Sequence, residues 1–248
     1  MNTSKNCLNC GTEVSLNFCP KCGQKTTIHR YSFAHFVEHD LVHGIWHLDK
    51  GILFTIKKLL LQPGHSIREF LQGKRVNYFN VITLLILIMG LSYFLNEASP
   101  IKITDLFGDE ETKKAMSSIE KFSKEYPKLQ LLLFIPVYSL FSFLWFRKAK
   151  LNFVEHFILN AYLISGVFLL TLIFSFATFI FSSIPILQII FLLTQILAIA
   201  YTIWFYYQFF SAYSYSKIAL FARSLAVIIS VYFFYSMIGF MIGMMKLI

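Results

Sequence analysis

Residues 152–210 read NFVEHFILNAYLISGVFLLTLIFSFATFIFSSIPILQIIFLLTQILAIAYTIWFYYQFF. Two apolar runs, about Asn152 to Phe181 and Ile186 to Phe210, are parted only by Ser182-Ser183-Ile184-Pro185. A helix rises about 1.5 Å per residue, so roughly 20 apolar residues cross a 30 Å hydrocarbon core. Each run is long enough. A connection this short makes the two antiparallel neighbours. Glu155 is the one formally charged side chain in the whole stretch.

Working outward, further runs lie at about 79–95, at 129–146 with Pro136 inside it, and at 221–245. Five spans are expected. Composition agrees: 56% of the 248 residues are hydrophobic, 14% are charged, and mean hydropathy is +0.62. A soluble domain carries nearer a quarter charged residues. The fold class expected is therefore an all-α integral membrane bundle occupying 79–248, with a small N-terminal head. The polar remainder is too short for a large catalytic domain. The N-terminus lacks the apolar core of a cleavable signal.

A net charge of +9 invites a nucleic-acid reading, but positive charge also sets membrane topology. Lys74 and Arg75 precede the first span, Arg147, Lys148 and Lys150 follow the second, and Lys217 and Arg223 flank the start of the fifth. The loop 96–128 holds six Lys/Arg against seven Asp/Glu. All basic clusters share one side if the N-terminus is cytoplasmic and the C-terminus outside, in a bacterial inner membrane. In the outer loop, Ala115, Met116, Ile119 and Phe122 are spaced as one face of a surface helix.

The four cysteines stand in two knuckles, Cys7-Leu-Asn-Cys10-Gly and Cys19-Pro-Lys-Cys22-Gly. Each offers two thiolates, and together they supply the four sulfurs of a tetrahedral zinc site. Iron or a redox disulfide pair are the alternatives. Residues 1–27 thus read as a minimal zinc ribbon whose folding energy comes from structural zinc, because so short a segment has little core. Four protein ligands leave no open position, which points to structure and away from catalysis. No basic cluster with interleaved aromatics accompanies the knuckles, so nucleic acid is not an expected partner.

Residues 28–78 read as short helices lying at the cytoplasmic interface. In FAHFVEHDLVHGIWHLDKG, residues 33–51, histidine recurs at 35, 39, 43 and 47. Such a helix puts Phe36, Val37, Leu41, Ile45 and Leu48 in one apolar sector with the histidines beside it. His39, Asp40, His43 and His47 form a candidate second metal or proton site, set against a polar helix side that happens to use histidine. Asp49 is a candidate cap for KGILFTIKKLLL. Ser66-Ile67-Arg68-Glu69 has the S-x-x-E pattern of a capping box opening a helix that ends at Gly73. Lys74 and Arg75 are candidate contacts for anionic head groups.

The cysteine head followed by HLDKGILFT, PGHSIREFLQGKR and a downstream FVEHF resembles an uncharacterised bacterial family of membrane proteins, domain of unknown function 3667. The resemblance is close over residues 7 to about 80. It implies a ribbon, an interfacial element and a helical bundle, and brings no activity with it.

Within the spans, Glu155, His156 and Asn160 form a candidate polar site near the cytoplasmic end of the third, where Glu155 could meet a basic partner or relay protons. Gln188, Gln195, Thr202 and Tyr206 fall on one face of the fourth, as a pore seam or as interhelical hydrogen bonds. No nucleophile elbow, phosphate-cradling loop or dinucleotide fingerprint is present. The residues point first to an interaction or regulatory protein, held in the lipid bilayer and docking a cytosolic protein through the ribbon. A small transporter or channel is the second reading. An interfacial enzyme acting on lipid head groups through the His/Asp/Lys/Arg collar is the third.

Overall fold

The computed structural model describes residues 6–28, 30–32, 51–110, 112–114, 117, 121 and 125–245. The four apolar positions expected on the outer-loop helix lie outside them. Among the described residues every regular element is helical, and there are no strands beyond isolated antiparallel bridges. The helices are α1 (Gly51–Leu61), α2 (Pro63–Leu71), α3 (Val81–Ala98), α4 (Pro127–Trp145), α5 (Phe153–Ile180), α6 (Ile184–Phe210) and α7 (Lys217–Met245).

Among the described residues, four helices are long and apolar enough to cross a membrane: α3, α5, α6 and Lys217–Met237 of α7. The second expected span becomes α4, a 19-residue helix that accommodates Pro136. Its described side chains, Leu133–Trp145, form an apolar stretch.

α5 is the centre of the bundle, packed against α3, α4 and α6. Every residue from Ile158 to Gly166 is buried, as the all-round apolar pattern requires of a core helix. Close approach depends on Gly166. A β-carbon there would lie 2.0 Å from the Tyr201 hydroxyl oxygen. Tyr201 passes over this gap from α6 and donates to the Leu59 carbonyl of α1 at 3.0 Å.

The helix starts follow local chemistry. Asn80 caps α3, its Oδ1 accepting from the Ile82 and Thr83 amides at 3.0 and 3.2 Å. Asn152 and Glu155 form a reciprocal capping box at α5. α6 begins at Ile184, two residues before the apolar run suggested, because Pro185 suits the first helical turn.

α2 departs from the expected start. It opens at Pro63, so Ser66 lies inside its first turn and donates back to the Pro63 carbonyl at 2.9 Å. Proline fixes the helical φ one turn earlier than the S-x-x-E pattern implied. Glu69, freed from capping, pairs with Lys74 at 2.7 Å. Gly73, at φ +114°, ends the segment.

The short helices 51–71 are built onto the bundle. α1 is tied to the chain entering α3, because Thr55 Oγ1 accepts from the Phe79 amide at 2.8 Å. α2 packs against the end of α6 so closely that a β-carbon on Gly64 would lie 2.2 Å from the Phe205 carbonyl oxygen. The Gly64 amide donates to Gln208 Oε1 at 3.1 Å. Arg68 caps α6, its Nη1 donating to the carbonyls of Gln208 and Phe209 at 2.8 and 2.9 Å. The loop after α3 is likewise engaged at the opposite end. Leu106 is buried with Ala177 and Leu187, and Gln188 donates to its carbonyl at 2.6 Å.

Candidate functional site

The two cysteine knuckles are near-copies of each other. The Cys7 amide donates to the Thr12 carbonyl and the Gly11 amide to the Cys7 carbonyl, both at 2.8 Å, and Cys19, Gln24 and Gly23 repeat the pattern at the same distances. Gly11 and Gly23 both sit at φ +74°, a left-handed conformation that glycine adopts without strain. Each turn aims its paired sulfurs at the other.

All four ligand atoms, Sγ of Cys7, Cys10, Cys19 and Cys22, lie within 4.8 Å of one another. Two edges of the group are 3.6 Å (Cys7–Cys22) and 3.5 Å (Cys10–Cys19). A tetrahedron with roughly 2.3 Å metal–sulfur bonds has edges of about 3.8 Å. The cluster fits a metal ion, and no disulfide links any of the four cysteines. The Thr12 hydroxyl beside Cys10 holds its thiol down to about 6, while burial pushes the Cys22 thiol up to about 11. A bound cation would draw every sulfur into the thiolate form.

A strap from Gln24 to Tyr31 seats this centre on the helices. Gln24 is buried, and its Oε1 accepts from the Arg75 amide at 3.2 Å. Leu8, in the first knuckle, and Ile28 pack over Gly73, where a β-carbon would meet Leu8 Cδ1 at 2.8 Å. Tyr31 is buried and stacked on Phe70, with the Arg75 guanidinium 4.0 Å over its ring.

Arg30 forms the strongest link. Its Nε and Nη2 donate to the two carboxylate oxygens of Glu155 at 2.7 and 2.6 Å, and Nη2 also donates to the Lys150 carbonyl at 2.9 Å. Asn152 Nδ2 donates to the Tyr31 carbonyl at 2.9 Å. The start of α5 is thereby bound to the segment that leaves the metal knuckles. Glu155 thus meets a basic partner, one of the two roles its place in the sequence allowed.

His156 and Asn160 sit behind that ion pair in a hydrogen-bonded chain. His156 Nδ1 and Ser142 Oγ are 2.9 Å apart, Asn160 Nδ2 donates to Ser142 Oγ at 2.8 Å, and Tyr206 donates to Asn160 Oδ1 at 2.5 Å. His156 is 1% exposed and the other three are fully buried. The polar groups are mutually satisfied, which fits them for specifying how α4, α5 and α6 pack.

The expected seam on α6 divides instead. Tyr206 and Thr202 are buried near the collar, Gln195 is exposed, and Gln188 serves the loop carbonyl of Leu106. One helix face runs through all four, but only its collar end is buried. Lys74 and Arg75 are occupied within the protein, Lys74 by Glu69 and Arg75 by Tyr31, the Phe70 carbonyl and the strap. The histidine stripe, with His39, Asp40, His43 and His47, lies outside the described residues, as does Asp49.

Sequence reasoning missed Arg30, Tyr31, Ser142 and Gln208. The Asn152-x-x-Glu155 pattern was legible as a cap. The others owe their roles to partners more than ten residues away in the chain, which no local pattern reveals. No curated protein and no solved structure matches the chain. Residues 49–93, which run from the collar through most of α3, match the model of the family described as "Protein of unknown function (DUF3667)", the same family the sequence resembles.

Proposed function

We propose that the protein is an interaction or regulatory protein of a bacterial inner membrane, whose zinc-bound ribbon is braced on the cytoplasmic end of a five-span bundle. In this reading the metal centre holds the strap, and the strap reports the state of the ribbon to α5. A cytosolic protein partner would bind the ribbon. The observation that carries the reading is the continuous path from Cys22 through Gln24, Arg30 and Tyr31 to Arg75, Asn152 and Glu155.

Three features support the topology. The collar, the starts of α3, α5 and α7 and the ends of α4 and α6 meet at one end of the bundle. Arg147, Lys148, Lys150, Lys217 and Arg223 gather there. Cysteine thiolates persist in a reducing cytosol.

The test uses the full chain purified in detergent, wild type beside Cys7→Ser/Cys10→Ser. Elemental analysis is expected to find about one zinc ion per chain in the wild type and none in the variant. Hydrogen exchange across residues 65–80 and 150–156 is expected to quicken when the metal is lost. Exchange that stays unchanged there would mean that the ribbon does not brace the bundle, and the reading would fall.

A further inference from the structure

The turn between α4 and α5 carries a cleft that the interaction reading does not use. It is a shallow cleft open to the surface, with a volume of about 580 Å³, and is lined by Arg30, Phe143, Arg147, Lys150, Leu151 and Phe153, with Asn152 between them. Arg147 and Lys150 are exposed and form no ion pair among the described residues. Arg30 enters the cleft with its charge already balanced by Glu155. Among the described residues, two positive charges remain uncompensated there.

Of the other cations at this end, Lys148 and Lys217 are exposed but do not line the cleft, and four more are committed to the protein. Lys74 pairs with Glu69, Arg75 lies on Tyr31, Arg68 caps α6, and Arg223 donates to the Trp145 carbonyl. Lys150 holds a left-handed conformation, φ +53°, the one non-glycine residue with positive φ among those described. The floor of the cleft is apolar. Phe143 and Phe153 meet edge to face with ring centres 6.3 Å apart, where α4 packs against α5.

We propose that this cleft binds the phosphate of an anionic phospholipid, with Arg147 and Lys150 holding the head group and an acyl chain lying along Phe143 and Phe153. Two free cations suit one phosphodiester, and each contributes favourable attraction to an anionic lipid. The aromatic floor favours a lipid over free phosphate, because inorganic phosphate would have to lie on apolar rings that offer it no hydrogen bonds. The inference rests on the membrane placement proposed above, and it adds a specific ligand class to the cytoplasmic end.

The test places the full chain in dodecylmaltoside micelles doped with either dioleoylphosphatidylglycerol or dioleoylphosphatidylcholine, and counts bound lipid by native mass spectrometry. Wild type is expected to retain the anionic lipid about tenfold better. Arg147→Gln/Lys150→Asn should lose that preference, since asparagine tolerates the left-handed conformation at position 150. Lys148→Gln/Lys217→Gln removes the same charge from the same end and should keep the preference. Arg147→Gln alone, with an intermediate loss, secures the result if the double variant fails to fold.

Equal losses in the two double variants would overturn the site in favour of a diffuse surface charge. Displacement of the lipid by millimolar inorganic phosphate would overturn the lipid assignment in favour of a free anion. A chain that carbonate washing strips from membranes would refute the membrane reading itself. A chain that stays in the membrane without lipid preference would refute this inference alone.

Discussion

Gly64 shows how much one missing methyl group can decide. Its β-carbon position is filled by the backbone of α6, 2.2 Å from the Phe205 carbonyl oxygen and 2.3 Å from the Phe209 nitrogen. Backbone cannot swing aside as a flexible side chain can, so Gly64→Ala should cost about 3 kcal/mol or displace α2 altogether. Thermal unfolding in detergent would register this as a large drop in midpoint, whereas Gly90→Ala, where nothing lies within 4 Å, should leave it unchanged. Beside Gly64, His65 accepts a hydrogen bond from Arg68, with Nδ1 and Nη2 2.8 Å apart. Burial first, and the Arg68 charge second, hold its pKa below the ordinary 6.5. The unfolded chain therefore binds this proton more readily than the folded one. The stability it contributes is intact above pH 6.5 and declines as pH falls through 6.5 towards the depressed value. A His65→Gln variant should show a shallower loss of stability between neutral and mildly acid pH than wild type. Equal slopes would mean that His65 plays no part.

At the scale of elements, the collar helices are held by their ends as much as by their faces. Arg68 satisfies two carbonyls at the C-terminus of α6, which that helix cannot satisfy internally. Lysine cannot reach both carbonyls and His65 with one ammonium group. Arg68→Lys should thus lower stability by about 1–2 kcal/mol, with faster hydrogen exchange confined to α2 and to residues 205–213. The serine-to-glutamate pattern in α2 is instructive here. Its spacing was a real signal of a helix start, yet Pro63 sits three residues earlier and takes the first turn. Both signals are local, and proline is the stronger because its ring fixes φ while a serine cap contributes only a hydrogen bond. The polar residues on α6 were equally visible as a set, but their fates depended on which part of that helix another helix covers.

For the whole molecule, the link between metal knuckles and bundle is the most exposed to test. Glu155 is nearly buried, its side chain 7% accessible, while Arg30 is 60% accessible. Arg30→Gln leaves the carboxylate with the Asn152 amide, 2.8 Å from Oε2, and no opposing charge. Because solvent screens the arginine side, the cost should be about 1–2 kcal/mol and not the larger penalty of a fully buried pair. The same variant should keep its metal and quicken exchange at Tyr31 and Asn152. Loss of metal in Arg30→Gln would mean instead that the strap and the knuckles fold as one unit.

Long apolar runs, the hairpin of α5 and α6 and the paired knuckles were readable along the chain, because each is written in local composition and spacing. A helix must hide its backbone polar groups in hydrocarbon whatever surrounds it, and two cysteines two residues apart face one ion in any context. Helix starts were readable to within a few residues for the same reason. The partners were not. That Arg30 meets Glu155, that Gly64 abuts the backbone at Phe205, and that Arg75 lies on Tyr31 while Arg147 and Lys150 have no ion pair among the described residues all depend on which residues far apart in sequence come together. Charge and size at a single position define which contacts are allowed. Only the packing of the other helices and the strap around α5 selects among them, because each side chain can satisfy just one set of neighbours at a time.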